Sequence, residues 1–129
     1  MILVDSSVWI AHLKGRETST TARLRVLAAR QPLLVGDLIL LEVLQGARDE
    51  ADATRIEHSL RRYVIVPLLD DELASRAARN YRHLRSIGVT LRKTADLVVG
   101  TYCIERGHAL LHDDRDFDPM QKYLGLRVA

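Results

Sequence analysis

Apolar residues in this chain fall into short blocks set between longer stretches of helical periodicity. Ile2 to Val4, Leu33 to Val35, Tyr63 to Val66 and Ala109 to Leu111 are apolar and bounded by polar or turn-forming residues, which predicts four strands. Between them, Ser6 to Lys14 predicts a short helix ended by Gly15. Thr18 to Arg30 predicts a second, with Thr18 or Ser19 as cap and Pro32 as stop. Asp37 is placed to cap a helix reaching about Gly46, and Glu50 to Arg61 forms the next. Asp70 caps the longest helix, to about Ser86, with Leu73, Ala77, Ala78, Tyr81 and Leu84 as its apolar stripe. Thr94 caps the last long helix, through Glu105, and Gly107 closes it.

Strands separated by helices imply βαβ crossovers, hence an α/β fold of three layers, αβα, with a central, mainly parallel sheet flanked by helices. A chain of 129 residues, 47% apolar, has the size of one domain, 1–129, around a single core. No apolar run has the length of a membrane span, and Met1-Ile2-Leu3-Val4-Asp5 lacks the basic start of a signal peptide, so a soluble protein of the cytoplasm is expected. The lone Cys103 excludes an internal disulfide and reads as a small buried side chain.

Net charge is only +2, yet of the 19 basic residues just Lys14, Lys93 and Lys122 are lysines. Guanidinium is the better bidentate phosphate ligand, although GC-rich coding sequence explains an arginine excess equally well. Arg76, Arg79, Arg82 and Arg85 recur every third residue and drift around their helix, which fits a solvated face better than an RNA track.

Acidic residues interrupt this apolar pattern where charge is least expected. Asp5 follows Ile2-Leu3-Val4, Glu42 lies within Leu38 to Leu44, Asp96 precedes Leu97-Val98-Val99, and Asp113 and Asp114 follow Ala109-Leu110-Leu111. Carboxylates are rarely buried without a partner or a cation, and acids gathered in one place repel one another unless a hard divalent ion neutralises them. Each has an ordinary explanation. Asp5 alone is better explained as a helix N-cap, and Asp96 gains from the dipole of the helix it opens. Glu42 is harder to dismiss, because the apolar residues around it predict a helix buried on all sides, with an arginine salt bridge as the alternative. Gly100, one turn beyond Asp96, leaves room there for a metal or phosphate. Asp114-x-Asp116-x-Asp118 starts like a calcium loop, but Pro119 and Gly125 stand where that loop needs Gly and Glu. Asp5 and Asp114 directly follow strands, at the sheet edge where active sites of parallel α/β folds gather.

Taken in order, Ile2-Leu3-Val4-Asp5-Ser6-Ser7-Val8-Trp9-Ile10, Leu41-Glu42-Val43-Leu44-Gln45-Gly46, Thr94-Ala95-Asp96-Leu97-Val98-Val99-Gly100 and Leu110-Leu111-His112-Asp113-Asp114-Arg115-Asp116-Phe117 resemble the PIN-domain ribonucleases. A stand-alone domain of this size is similar to the VapC toxins of bacterial toxin-antitoxin pairs. The resemblance implies a PIN-like αβα fold and an acidic quartet, Asp5, Glu42, Asp96 and Asp114, with Asp5, Asp96, Asp114 and Asp116 holding one or two Mg²⁺ or Mn²⁺ ions. It gives supporting places to Ser7, Thr94 and Asp113. Relatives often carry Thr or Ser where this chain has His112.

The activity implied is endoribonuclease cleavage by metal-activated water, leaving 5′-phosphate and 3′-hydroxyl ends. Arg92, Lys93 and Arg115 are the basic residues nearest the acids in sequence and the expected RNA contacts. Implied partners are single-stranded or looped RNA, an antitoxin protein and a second copy of the chain, for which Trp9 and Ile10 offer apolar contact. Three alternatives compete: a histidine mechanism using His12 and His112, which predicts cyclic phosphate ends; a Mg²⁺-dependent phospho-receiver domain, which needs an acceptor Asp after a central strand; and a non-catalytic RNA-binding module.

Overall fold

The structure, a computed structural model, describes residues 1–129. Its elements run β1 (Ile2–Val4), α1 (Ser6–Leu13), α2 (Ser19–Ala28), β2 (Leu33–Gly36), α3 (Asp37–Gln45), α4 (Glu50–Leu60), β3 (Val64–Val66), α5 (Asp71–Ser86), α6 (Thr94–Arg106), β4 (Ala109–Leu111), a 3-10 turn (Arg115–Phe117), α7 (Asp118–Leu124) and β5 (Arg127–Val128). The sheet has five strands in the order β3-β2-β1-β4-β5, and every pairing is parallel.

That order fixes the layers. Crossovers between parallel strands are right-handed. The steps from β1 to β2 and from β2 to β3 run one way across the sheet, and those from β3 to β4 and from β4 to β5 run the other way. Helices α1 to α4 therefore cover one face and α5 to α7 the opposite face, which is the αβα sandwich expected.

Both faces of the central strands are buried. Leu3, Val4, Val35, Leu110 and Leu111 join Trp9, Phe117 and Met120 in one core cluster. In β1, Ile2, Leu3 and Val4 lie opposite Ala109, Leu110 and Leu111 of β4. The ladder continues one bond further, from Asp5 N–H to the Leu111 carbonyl at 2.9 Å. The first acid is thereby held against the end of β4. Strand order reverses between β1 and β4, so the crevice outside their carboxyl ends is the topological switch point where such folds place their sites.

Several local expectations change. Asp37 is the first residue of α3 behind Gly36, and its Oδ1 accepts from Leu38 N–H at 2.7 Å and Leu68 N–H at 3.1 Å, pinning the loop after β3 to α3. Thr94 is likewise inside its helix, whose N-cap is Lys93 and has no side-chain cap bond. Helix α3 is not apolar on all sides of its environment: only Ile39 and Val43 are buried, and Leu41 is 52% exposed. The α5 stripe narrows to Leu73, Ala77 and Leu84, leaving Ala78 exposed and Tyr81 half-buried. Gly107 does close α6, in the left-handed conformation at φ 70°. Trp9 is core, packed against Tyr63 at 4.9 Å between ring centroids, and so is no contact for a second chain. No helix is long and apolar enough to cross a membrane.

Candidate active site

Asp5 does two things at once. It is the N-cap of α1, and its Oδ2 accepts from Ser7 N–H at 3.1 Å and from the Ser7 hydroxyl at 2.6 Å. The carboxylate is buried, and burial raises its pKa despite these bonds, with the charge of Asp114 adding to the rise. The N-cap reading holds, and because α1 starts at the crevice that β1 points into, the same carboxylate also faces the other acids.

Across the crevice, Asp96 lies in the first turn of α6, 6% exposed. Its Oδ2 is buried and has no hydrogen-bond partner. Desolvation pushes its pKa up to about 6, opposed by Lys93 and reinforced by Asp5, Asp114 and Asp116. Asp114 and Asp116 follow β4. Oxygens of Asp96, Asp114 and Asp116 lie within 4.8 Å of one another. Two oxygens on one Mg²⁺ ion at about 2.1 Å stand at most about 4.2 Å apart, so a small side-chain adjustment brings the trio to the spacing of one such ion, and its oxygens are the hard donors that ion takes. The orphaned oxygen of Asp96 is the atom a cation would satisfy.

Asp5 stands beside these three oxygens rather than among them. Glu42, half-buried on α3, has its pKa raised first by desolvation and then by Asp5, with Ser6 and Lys93 opposing and Asp114 adding. The four acids that the sequence scatters therefore face one crevice, with one correction. Asp113 turns away: its N–H donates to Ser7 Oγ at 3.1 Å, and its Oδ2 accepts from Thr20 at 3.4 Å. It braces α1 and α2 against the loop after β4 and adds no charge to the trio. Thr94 is exposed at the start of α6 and makes no cap bond. Gly100 also has a different use from the one expected. A Cβ there would stand 2.4 Å from Met120 Sδ, so the missing side chain makes room for α7, not for a ligand.

Basic residues rim the trio. Lys93 Nζ lies 3.6 Å from Asp114 Oδ2 and 3.8 Å from Asp116 Oδ2, and these acids, Asp96 foremost, raise its pKa. Arg92, Lys93 and Arg115 line one cleft of ≈ 200 Å³ with Asp96 and Asp116. Arg76 is not free for RNA, being paired with Glu72 and Glu105, and Arg85 lies over the Tyr81 ring at 5.8 Å. A larger groove of ≈ 510 Å³ lies elsewhere, between α1, α3 and α4, with Ile10, Leu13, Val43 and Ile56 in its wall.

The competing chemistries lose their footing here. His112 Nδ1 accepts from Asp114 N–H at 3.2 Å, and its Nε2 is buried without a partner. Neither nitrogen is free to exchange a proton with substrate. Strand β3, whose following residues would have carried a receiver's acceptor Asp, is at the sheet edge.

This arrangement of acids around the β1–β4 crevice coincides with a family match: the PIN domain, over residues 2–123. The chain belongs to the PIN-domain family. The Ribonuclease VapC11 of Mycobacterium tuberculosis is 28% identical over 132 residues, covering 100% of this chain and 98% of that protein. The fold of VapBC2 from Rickettsia felis, solved on a DNA fragment from its promoter, matches with a TM-score of 0.80 at 16% identity, over 100% of this chain and 98% of that one. VapC20 of Mycobacterium tuberculosis, described as a Sarcin-Ricin loop cleaving toxin, matches with a TM-score of 0.68 at 16% identity, over 92% and 93% of the two chains.

Sequence reasoning missed the parts of the PIN site that act between distant segments. Thr20 meets Asp113 across 93 residues, and Ser6 lowers the Glu42 pKa from another helix. Neither carries a local signal, since a threonine in a first helical turn reads as capping.

Proposed function

We propose that this PIN domain is a metal-dependent endoribonuclease, the toxin of a toxin-antitoxin pair, which hydrolyses RNA phosphodiester bonds to leave 5′-phosphate and 3′-hydroxyl ends. The observation that carries the reading is Asp96, buried with an unpartnered oxygen within 4.8 Å of oxygens from Asp114 and Asp116. The name of the relative VapC11 supports ribonuclease over other phosphodiester chemistry.

In this reading Asp96, Asp114 and Asp116 hold Mg²⁺ or Mn²⁺, and Asp5 adds charge from a position set by Ser7. A divalent ion there supplies activation of water and stabilisation of charge on phosphorus and leaving oxygen. Glu42, with a raised pKa and partial exposure, is suited to accept a proton from the attacking water. Arg92, Lys93 and Arg115 bind the phosphates on either side of the scissile bond, Arg by paired hydrogen bonds and Lys as a point charge.

An antitoxin is the expected protein partner, since a solved neighbour of the same fold is a toxin-antitoxin complex from Klebsiella pneumoniae. The groove between α1, α3 and α4 has an apolar wall and a rim where Lys14 stands near Arg48 and Arg55, which share Asp52 between them, so its edge keeps net positive charge and suits an amphipathic helix with acidic flanks. A homodimer belongs to the same reading, with exposed Leu41 and Leu69 as apolar surface.

Purified protein freed of antitoxin, incubated with total cellular RNA and Mg²⁺ or Mn²⁺, is expected to cut discrete sites. Chelator and Asp96→Asn each abolish the cuts. Cleavage that survives both would overturn the reading.

A further inference from the structure

We propose that His112 is a positioning residue for the metal site: its Nδ1, acting as acceptor, sets the turn that aims Asp114 and Asp116 at Asp96. This rests on the metal-site reading above.

The turn after β4 is held by two successive bonds, each spanning two residues. Asp114 N–H donates to His112 Nδ1 at 3.2 Å, and Asp116 N–H donates to Asp114 Oδ1 at 2.9 Å. Asp114 thus uses one carboxylate oxygen to orient Asp116 and leaves Oδ2 facing the cation side, where Lys93 lies 3.6 Å away. The histidine ring stands at the head of this chain of bonds. It is fixed on its other side by fully buried Phe117, 4.9 Å between ring centroids and tilted 48°.

A nitrogen that accepts an N–H bond carries no proton, so the neutral ring has its proton on Nε2. That nitrogen is buried and has no partner. Stability alone does not account for histidine here: a leucine would leave the part-buried Asp114 N–H without its acceptor but would also remove a buried N–H that has lost its water, and the two effects are of similar size. The acceptor at Nδ1 is what an apolar side chain cannot provide. Asparagine can provide it, because its Oδ1 stands as many bonds from the backbone as His Nδ1.

The test is a titration of metal-free protein with Mn²⁺, followed by the electron paramagnetic resonance signal of the free ion, on wild type, His112→Leu and His112→Asn. Each metal-free protein is also melted. The leucine variant is expected to bind Mn²⁺ about tenfold more weakly while melting close to wild type, and the asparagine variant to recover most of the affinity. If the leucine variant does not melt cooperatively, His112→Phe, which keeps a ring against Phe117 without an acceptor, takes its place under the same expectation. Unchanged affinity in the variant without an acceptor overturns the proposal, as does a folded asparagine variant as weak as leucine. Wild type that takes up no Mn²⁺ overturns the metal-site reading itself and this inference with it.

Discussion

The Ser7 hydroxyl donates to Asp5 Oδ2 at 2.6 Å and accepts the Asp113 N–H at 3.1 Å, so one side chain ties the acid after β1 to the loop after β4. Removing that oxygen frees the Asp5 carboxylate to rotate about its remaining bond to Ser7 N–H. Ser7→Ala is expected to lower the cleavage rate about tenfold, in line with the loss of an outer partner of a metal site. It is expected to cost about 1 kcal/mol of stability. Initial rates and urea denaturation measure the two effects separately.

Asp96 makes the metal-free protein sensitive to pH in an unusual direction. Its pKa is raised to about 6, first by burial, so the folded protein holds a proton that the unfolded chain has released. The resulting stability is complete below the unfolded value of 3.8 and is lost as pH rises through about 6. Metal-free wild type is expected to lose melting temperature, relative to Asp96→Asn, as pH rises from about 4 to about 6, and to change little above that. Mg²⁺ at the higher pH should raise the melting temperature of wild type and leave the variant unmoved. Asp5 and Glu42, also raised first by burial, are present in both proteins, so the difference reports Asp96 together with its coupling to Asp5.

Lys93 stands between two roles. Its ammonium faces the same Asp114 and Asp116 oxygens that a metal would use, and it is 58% exposed toward the cleft shared with Arg92 and Arg115. Lys93→Gln is expected to tighten Mn²⁺ binding by roughly two- to fivefold, the scale of an exposed ion pair, because a competing cation is gone. The same change should raise KM for RNA. Metal titration and steady-state kinetics check the opposite signs.

Gly100 and Met120 are fitted to each other. Gly100→Ala is expected to destabilise the protein by about 1–2 kcal/mol, overpacking against a fully buried thioether outweighing the better helix propensity of alanine. Adding Met120→Ala should cost less in the Gly100→Ala background than in wild type, a non-additivity that a double-mutant cycle reads directly.

The outline of the fold was legible in the sequence because β1, β2 and β4 are apolar blocks buried between helices, β3 is an apolar block at the sheet edge, and continuous apolar runs are what a parallel sheet covered on both faces requires. Helix α7 and strand β5 were not. The first spans 7 residues and the second 2, too short for any periodicity to register. Asp5, Glu42, Asp96 and Asp114 stood out because each breaks an apolar context, a signal that survives without coordinates. Which way a carboxylate turns does not survive. Asp113 and Asp114 are adjacent in sequence, yet one braces Thr20 and the other joins Asp96 and Asp116. Gly100 shows the same limit, since an absent side chain announces a close approach but not by what.

Product-end chemistry tests the central claim most directly. RNA fragments made by the wild-type protein with Mg²⁺ should ligate to adaptors that require a 5′-phosphate, and their partner fragments should carry free 3′-hydroxyls. Fragments with 5′-hydroxyl and 2′,3′-cyclic phosphate ends would contradict it, because they arise from attack by the RNA's own 2′-hydroxyl and need no carboxylate-held metal.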